Sequence, residues 1–321
     1  MIDTIHLKFR IELIIEVLIP PWRRITCQRS DGSVKESYVY DIQHNGALIK
    51  LKYFPVDYIG NPLLIVQISS LPKVVHGNNH TSLFDIDHAI NIINKLLKNV
   101  PGIPDVDIRD GVIHRIDFCF NYKVGDNVGE YMNAIGQLYY PRRDRQLYLN
   151  RYGANHANKQ NNGVCFSSRL MRASFYDKQK ECRDPEAYGI LRHETSIKGP
   201  SISRQIKDRL NPTICDVTPA IALSVLQHDL EMLGLDRCII TNQSEALYIL
   251  QNTYGMNKGY RMYELLLFLH GNHEKTKSEL ATIRGVTEQS INAWIRDINR
   301  AGISTAITLS NVSLPPLKID M

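Results

Sequence analysis

Three separated stretches of this chain alternate polar and apolar residues with the period of a β-strand, and each carries ionisable groups on one side. They are GVIHRIDFCF (111–120), MRASFYDKQKE (171–181) and ILRHETSIK (190–198). Successive strand side chains point to opposite faces. Arg115 therefore shares a face with Asp117, Ser174 and Tyr176 share one with Lys178, and Arg192 shares one with Glu194. The other faces hold Ile116, Phe118 and Phe120, then Ala173 and Phe175, then Leu191 and Ile197. If the three strands lie in one sheet, one side packs on a core. The other side then gathers a tyrosine, a lysine and two carboxylates.

The surrounding pattern supplies the rest of such a sheet. Strands are expected at Asp3–Ile15, Gly46–Phe54 and Leu63–Ser69, separated by turn signals such as Asn45-Gly46 and Gly60-Asn61-Pro62. Ile86, Ile90, Ile93 and Leu96 form a helical stripe within 85–97, and a second helix is expected over 128–139. A polar loop, 151–163, leads into a hairpin, GVCFSS then RLMRASFYDK. Antiparallel strands interrupted by helices indicate an α+β fold, a five- or six-stranded, mainly antiparallel sheet with flanking helices. Pro200, Asn211-Pro212 and Pro219 break the pattern, and beyond them it turns helical at 219–233, 243–251 and 260–270. The boundary is placed at 212, giving a domain over 1–212 and a helical one over 213–321.

A chain of 321 residues has room for two such cores. Its net charge of +5 permits a polyanionic partner. Six cysteines without CxxC spacing argue against a disulfide framework or a structural zinc site, which fits a reducing cytoplasm. The apolar stretch 11–22 is interrupted by Glu12 and Glu16 and ended by Pro20-Pro21, too short and too charged to span a bilayer. It also lacks the basic start and cleavage site of a signal peptide. No membrane partner is expected.

The ionisable faces suit metal-assisted phosphoryl transfer by a tyrosine. Deprotonating an ordinary tyrosine at neutral pH costs roughly 4 kcal/mol, so a cation must supply much of the stabilisation. Lys178, two residues from Tyr176, is placed to stabilise a developing phenolate or a phosphate oxygen. Asp117 and Glu194 offer the oxygen ligands that Mg²⁺ or Mn²⁺ favours. A covalent phosphotyrosine would conserve the bond energy for rejoining. The plain alternatives are a packing tyrosine, one of 16 in the chain, and simple ion pairs of Arg115 with Asp117 and of Arg192 with Glu194. His114 and His193 fall out of phase with the carboxylates and face the apolar side unless a bulge rephases the strand. His76 and His80, in the loop-like PKVVHGNNHTSLFD (72–85), are freer to complete a metal shell or to contact DNA.

The opening MID, PKVVHGNN (72–79), HRIDFCF (114–120), SSRLMRASFYDKQKE (167–181) and LRHETSIK (191–198) together resemble the replication initiators of filamentous phages, the gene II protein type, distantly similar to plasmid rolling-circle initiators. The likeness extends weakly to the C-terminus. It implies a rolling-circle nickase-like fold and a site- and strand-specific DNA endonuclease. Such an enzyme nicks double-stranded origin DNA, becomes linked to the 5′ phosphate, and later rejoins the displaced single strand. The resemblance carries the nucleophile to Tyr176 and the metal ligands to Asp117 and Glu194, with Arg115 and Arg192 on DNA. Gly77-Asn78-Asn79 stands where the family has glycine-histidine-asparagine, so the histidine's part passes to His76 or His80. A host helicase and polymerase, and a homo-oligomer on DNA, are the partners implied. A second tyrosine for termination, Tyr140 or Tyr152, is left open.

Within 277–300 the sequence has the spacing of a helix-turn-helix. Ala281 takes the tight packing position, Gly285 the turn, Thr287 the second N-cap, and Ile291 and Trp294 the inner face. The second helix would offer Gln289, Ser290, Asn292 and Arg296 to DNA. An ordinary helical hairpin shares this pattern. Two rivals to a nicking enzyme remain: a DNA-binding repressor without catalysis, and a conjugative relaxase, for which the chain has little room.

Overall fold

The computed structural model describes residues 2–13, 21–28, 34–57, 60–81, 83, 86–140, 143–149, 161–206 and 210–319. The N-terminal part runs β1 (Ile2–Phe9), β2 (Arg23–Gln28), β3 (Val34–His44), β4 (Ala47–Phe54), β5 (Leu63–Ile68), α1 (Leu71–His76) and α2 (Ile86–Lys98). The middle runs β6 (Val112–Lys123), α3 (Val128–Ile135), β7 (Asp144–Leu149), β8 (Asn161–Ser167), β9 (Met171–Asp177), α4 (Lys178–Cys182), β10 (Ile190–Lys198) and α5 (Pro200–Gln205). Then come α6 (Pro219–Leu233), β11 (Ile239–Thr241), α7 (Gln243–Tyr254), α8 (Met256–Gly271), α9 (Lys277–Arg284), α10 (Glu288–Arg300) and β12 (Ile303–Ile307). The chain forms two compact units. The first holds Met1–Phe120, Arg169–Met171 and Glu194–Val225, and the second holds Asn121–Ser168, Arg172–His193 and Leu226–Met321.

The strands of the first unit hydrogen-bond in the order β2-β3-β4-β5-β1-β6-β10. Alternation sorts its rungs into two kinds. Ile42, Ile49, Ile68, Ile5 and Ile116 stand side by side across five strands, and Tyr40, Leu51, Val66, Leu7 and Ile113 form the next such rung. Ile49, Leu51, Val66, Ile68, Ile5 and Leu7 have no exposure, which makes this face the core side. α1 packs against β1, β4 and α2. One intervening rung is polar, Asp41, Lys50, Gln67, His6 and Arg115, and another sets Lys52 and Lys8 among Val39, Ile65 and Val112. The fold is α+β with antiparallel ladders, as the alternation predicts, and it has more strands than the five or six expected.

The additional strands carry weak signals. β2 is exposed at every position, so no apolar alternation marks it, and its charges suit an edge. β1 stops at Phe9 rather than at 15, and residues 14–20 lie outside the described set. PKVVH is a helix, not a loop: Ser70 caps it, and Gly77 ends it in the left-handed region at φ 75°. The strand expected to run through Lys178 ends one residue earlier. Asp177 turns into an N-cap and accepts from the Lys180 N–H at 3.2 Å, so Lys178 begins a helix. Of the polar loop, 151–160 lies outside the described residues, and Asn161 already belongs to β8.

In the second unit β9 pairs with β8 and β8 with β7, all antiparallel. The C-terminal stretch is helical, as expected, but β11 and β12 add a parallel pair. Leu250, Leu266, Leu280, Ile291, Ile298 and Ile303 make one buried cluster there. No helix among the described residues is long and apolar enough to cross a membrane.

The close crossing of α7 and α8 gives a stability test. A Cβ on Gly259 would lie 2.5 Å from the Leu250 carbonyl oxygen, whereas one on Gly129 in α3 meets nothing within 4 Å. Gly259→Ala is expected to cost about 1–3 kcal/mol through overpacking. Gly129→Ala is expected to gain about 0.5 kcal/mol from helix propensity. Chemical denaturation of the two variants beside the parent chain measures both.

Candidate functional site

In the first unit, the β1–β6 ladder sets the site through a bulge. Ile113 pairs with Leu7 and Arg115 with His6, leaving His114 as the extra residue. Because side chains alternate with period 2, one inserted residue rephases everything beyond it. Ile113 and Ile116 both reach the apolar face this way, and Arg115 and Asp117 both reach the polar one. The condition under which His114 would leave the apolar side is met, and the residue is half-buried.

Asp117 is only 1 % exposed. Arg115 holds it with Nε on Oδ1 at 2.9 Å and Nη2 on Oδ2 at 2.5 Å, and the Ser196 hydroxyl donates to Oδ1 at 2.6 Å. Partial burial works against the Arg115 charge. The bonds to Asp117, with the fields of Asp117, Glu194 and Asp3, outweigh it and hold the guanidinium above its ordinary pKa. Asp3 is buried and accepts from the Ser70 hydroxyl at 3.0 Å. Glu194, half-buried on β10, completes this group of acids.

The same face carries three lysines, with Asp41 3.8 Å from Lys50. Lys8, Lys50 and Lys52 project from β1 and β4 on the side of His6 and Arg115, all half-exposed. Burial first, then Arg115, His114, Lys52 and Lys198, lower the pKa of His6 to about 4. His114 is lowered by burial and by Lys8 and Lys198. Both histidines are thus lowered first by burial and then by neighbouring cations. His76 is the exposed last residue of α1, and His80 is half-buried in the turn that follows.

Tyr176 and Lys178 lie in the second unit. Tyr176, on β9 and half-buried, stands opposite Gly163 of β8, which brings no side chain against the ring. Lys178 has no exposure, and its ammonium sits 5.6 Å from the Tyr176 ring centroid. It donates to Glu181 Oε2 at 2.6 Å. Lys178 therefore comes beside Tyr176 from a helix rather than along a strand. Glu181, its partner, is a residue the strand reading missed, and only the N-cap Asp177 signals the i, i+3 pairing.

Arg192 and His193 are buried, so Arg192, expected on DNA, does not reach the surface. His193 does face the apolar side, stacked on Phe175 with centroids 4.3 Å apart. Its Nε2 lies 3.5 Å from Asp229, which also takes the Tyr140 hydroxyl at 2.6 Å and Arg143 at 3.1 Å. Burial and the Asp229 charge push the Tyr140 pKa well up, the wrong direction for a second nucleophile. Tyr152 lies outside the described residues.

The helix-turn-helix reading matches the local geometry. Thr276 and Glu279 form a capping box at the start of α9, Gly285 closes it at φ 65°, and the Thr287 side chain caps α10. Leu280, Ala281 and Ile291 are buried, with Trp294 packed against them. Gln289, Asn292 and Arg296 are exposed, while the Ser290 hydroxyl is tied to Thr287 at 3.0 Å.

No family model matches the sequence, and no curated protein matches it. Among solved structures, a rolling circle replication initiator protein from Geobacillus stearothermophilus is 10 % identical, with a TM-score of 0.34 over 64 % of this chain and 76 % of that one. DynU16, a putative protein of the dynemicin biosynthetic locus, is 9 % identical, with a TM-score of 0.17 over 71 % of this chain and 99 % of that one.

The depressed His6 has a consequence for pH dependence. Between its ordinary pKa of about 6.5 and its folded value of about 4, the unfolded chain binds the proton more readily. His6 therefore makes stability rise with pH across that window. Urea unfolding at a series of pH values is expected to give a shallower rise for His6→Gln than for the parent, and NMR titration of Lys198→Gln an upward shift of the His6 pKa.

Proposed function

We propose that the chain is a DNA nicking and joining enzyme that initiates rolling-circle replication through Tyr176. The observation that carries this reading is the Lys178 ammonium, withdrawn from water, paired with Glu181 and set 5.6 Å from the centroid of a half-buried tyrosine ring. A cation in a low-dielectric setting stabilises negative charge more than the same cation in water. In the proposed step the Tyr176 oxygen attacks a backbone phosphorus and the phenolic proton is lost to solvent. The bond to the 3′ oxygen breaks, and that oxygen takes up a proton as it leaves. The product is a 5′-phosphotyrosine whose energy is kept for the reverse attack by a 3′ hydroxyl.

The other residues take supporting parts. The basic face of Lys8, Lys50, Lys52 and Arg115 suits the DNA backbone. Gln289, Asn292 and Arg296, exposed on α10, suit a major groove. Asp117 and Glu194 have the carboxylate chemistry for Mg²⁺ or Mn²⁺. Asp117 accepts three hydrogen bonds of the roughly four a carboxylate can take, which leaves a lone pair for a hard cation. An ion held by these two carboxylates would supply positive charge on the first unit. His76 or His80 remains the proposed histidine ligand. Double-stranded origin DNA and the displaced single strand are the proposed substrates, with a host helicase and polymerase following in the cytoplasm.

The complete helix-turn-helix favours a second reading, a DNA-binding repressor without catalysis. Supercoiled DNA of the chain's own replicon, incubated with protein and Mg²⁺, separates the two. The enzyme reading predicts nicked circles with the parent chain and none with Tyr176→Phe, while gel-shift affinity stays unchanged. Equal nicking by both proteins contradicts the role of Tyr176, and binding without nicking by the parent supports the repressor.

A further inference from the structure

The second unit contains a cleft of about 440 Å³ that none of the roles above uses. Four cations line it, Arg143, Arg145, Lys275 and Lys277, against two carboxylates, Asp144 and Glu274. The residues come from the segment leading into β7 and from the turn entering α9. Thr276, the N-cap of α9, also lines the cleft, so the positive end of that helix opens on it.

Several of these cations are held in place. The Arg143 side chain is 7 % exposed, lies over the Tyr140 ring at 3.9 Å and pairs with buried Asp229 at 3.1 Å. Its Nη1 is buried and finds no hydrogen-bond partner among the described residues. Arg145 donates to the Gly136 carbonyl at 2.7 Å. Lys277 is fixed by Asn292 at 2.6 Å, and burial lowers its pKa. A buried guanidinium nitrogen without a partner, beside anchored cations in a cleft of ligand size, is the arrangement an oxyanion completes.

We propose that this cleft is a phosphate site that binds a phosphate ester beside the entry to the helix-turn-helix. Arg143 and Arg145 supply planar donors, and Lys275 and Lys277 supply point charge. The ester has two sources, a backbone phosphate of bound DNA or a free nucleotide. The site does not depend on Tyr176, so Tyr176→Phe is expected to keep it whether or not that tyrosine is catalytic.

Titration calorimetry of the full chain with pyrophosphate at low salt tests the site. The parent is expected to bind, and Lys275→Gln and Lys277→Gln each to bind about tenfold more weakly, the effect of one lost charged contact. Lys258→Gln, an equal charge change elsewhere in the same unit, is expected to bind as the parent does. Lys275 is exposed, so that variant keeps the test decisive if Lys277→Gln folds poorly. No binding by the parent, or the same loss in all three variants, overturns the proposal. The source follows from duplex DNA binding as a function of salt. If Lys275→Gln lowers the slope by about 0.9, the ester is a backbone phosphate. If the slope holds while pyrophosphate binding is lost, the ester is a free one.

Discussion

A carboxylate inside a β-sheet is tolerable only when its charge is answered, and the fork of Arg115 on both oxygens of Asp117 answers it. The geometry follows from one inserted residue. Without the bulge at His114, Ile113 and Ile116 could not both face the core while Arg115 and Asp117 face away from it. The bulge, the buried ion pair and the Ser196 hydroxyl form one arrangement, and removing any part exposes the others to a cost.

The same logic recurs in the second unit with different residues. Asp229 has no exposure and is answered by Arg143, Tyr140 and His193. Each unit thus has a buried acid that fixes an arginine, Asp117 with Arg115 and Asp229 with Arg143, and each arginine borders a surface proposed to meet phosphate. In the first unit that surface is the row of lysines on the sheet. In the second it is the cleft that leads into α9.

What the sequence made legible was set by the range of the interactions involved. The helix-turn-helix could be read because its signals are local: Thr276 with Glu279, Gly285 at the turn, and Thr287 capping α10. The apolar rungs through Ile5, Ile49 and Ile116 could be read because alternation is a property of each strand alone. β2 could not, because an exposed edge strand needs no apolar face. Lys178 stands beside Tyr176 although the capping role of Asp177 ends the strand before it, which alternation alone does not signal. The bulge at His114 and the partners of Asp229 depend on residues far apart in the chain. Parity alone could not separate the buried Arg192 from the half-exposed Arg115.

The central claim is that the phenol of Tyr176 reacts with DNA, and mapping the bond tests it most directly. The chain is incubated with DNA of its replicon and Mg²⁺, the nucleic acid is digested to a stub, and tryptic peptides are weighed. The account predicts a nucleotide-sized mass on the peptide that carries Tyr176 and on no other. A stub on a different tyrosine, or nicked DNA with no stub on any peptide, would contradict it.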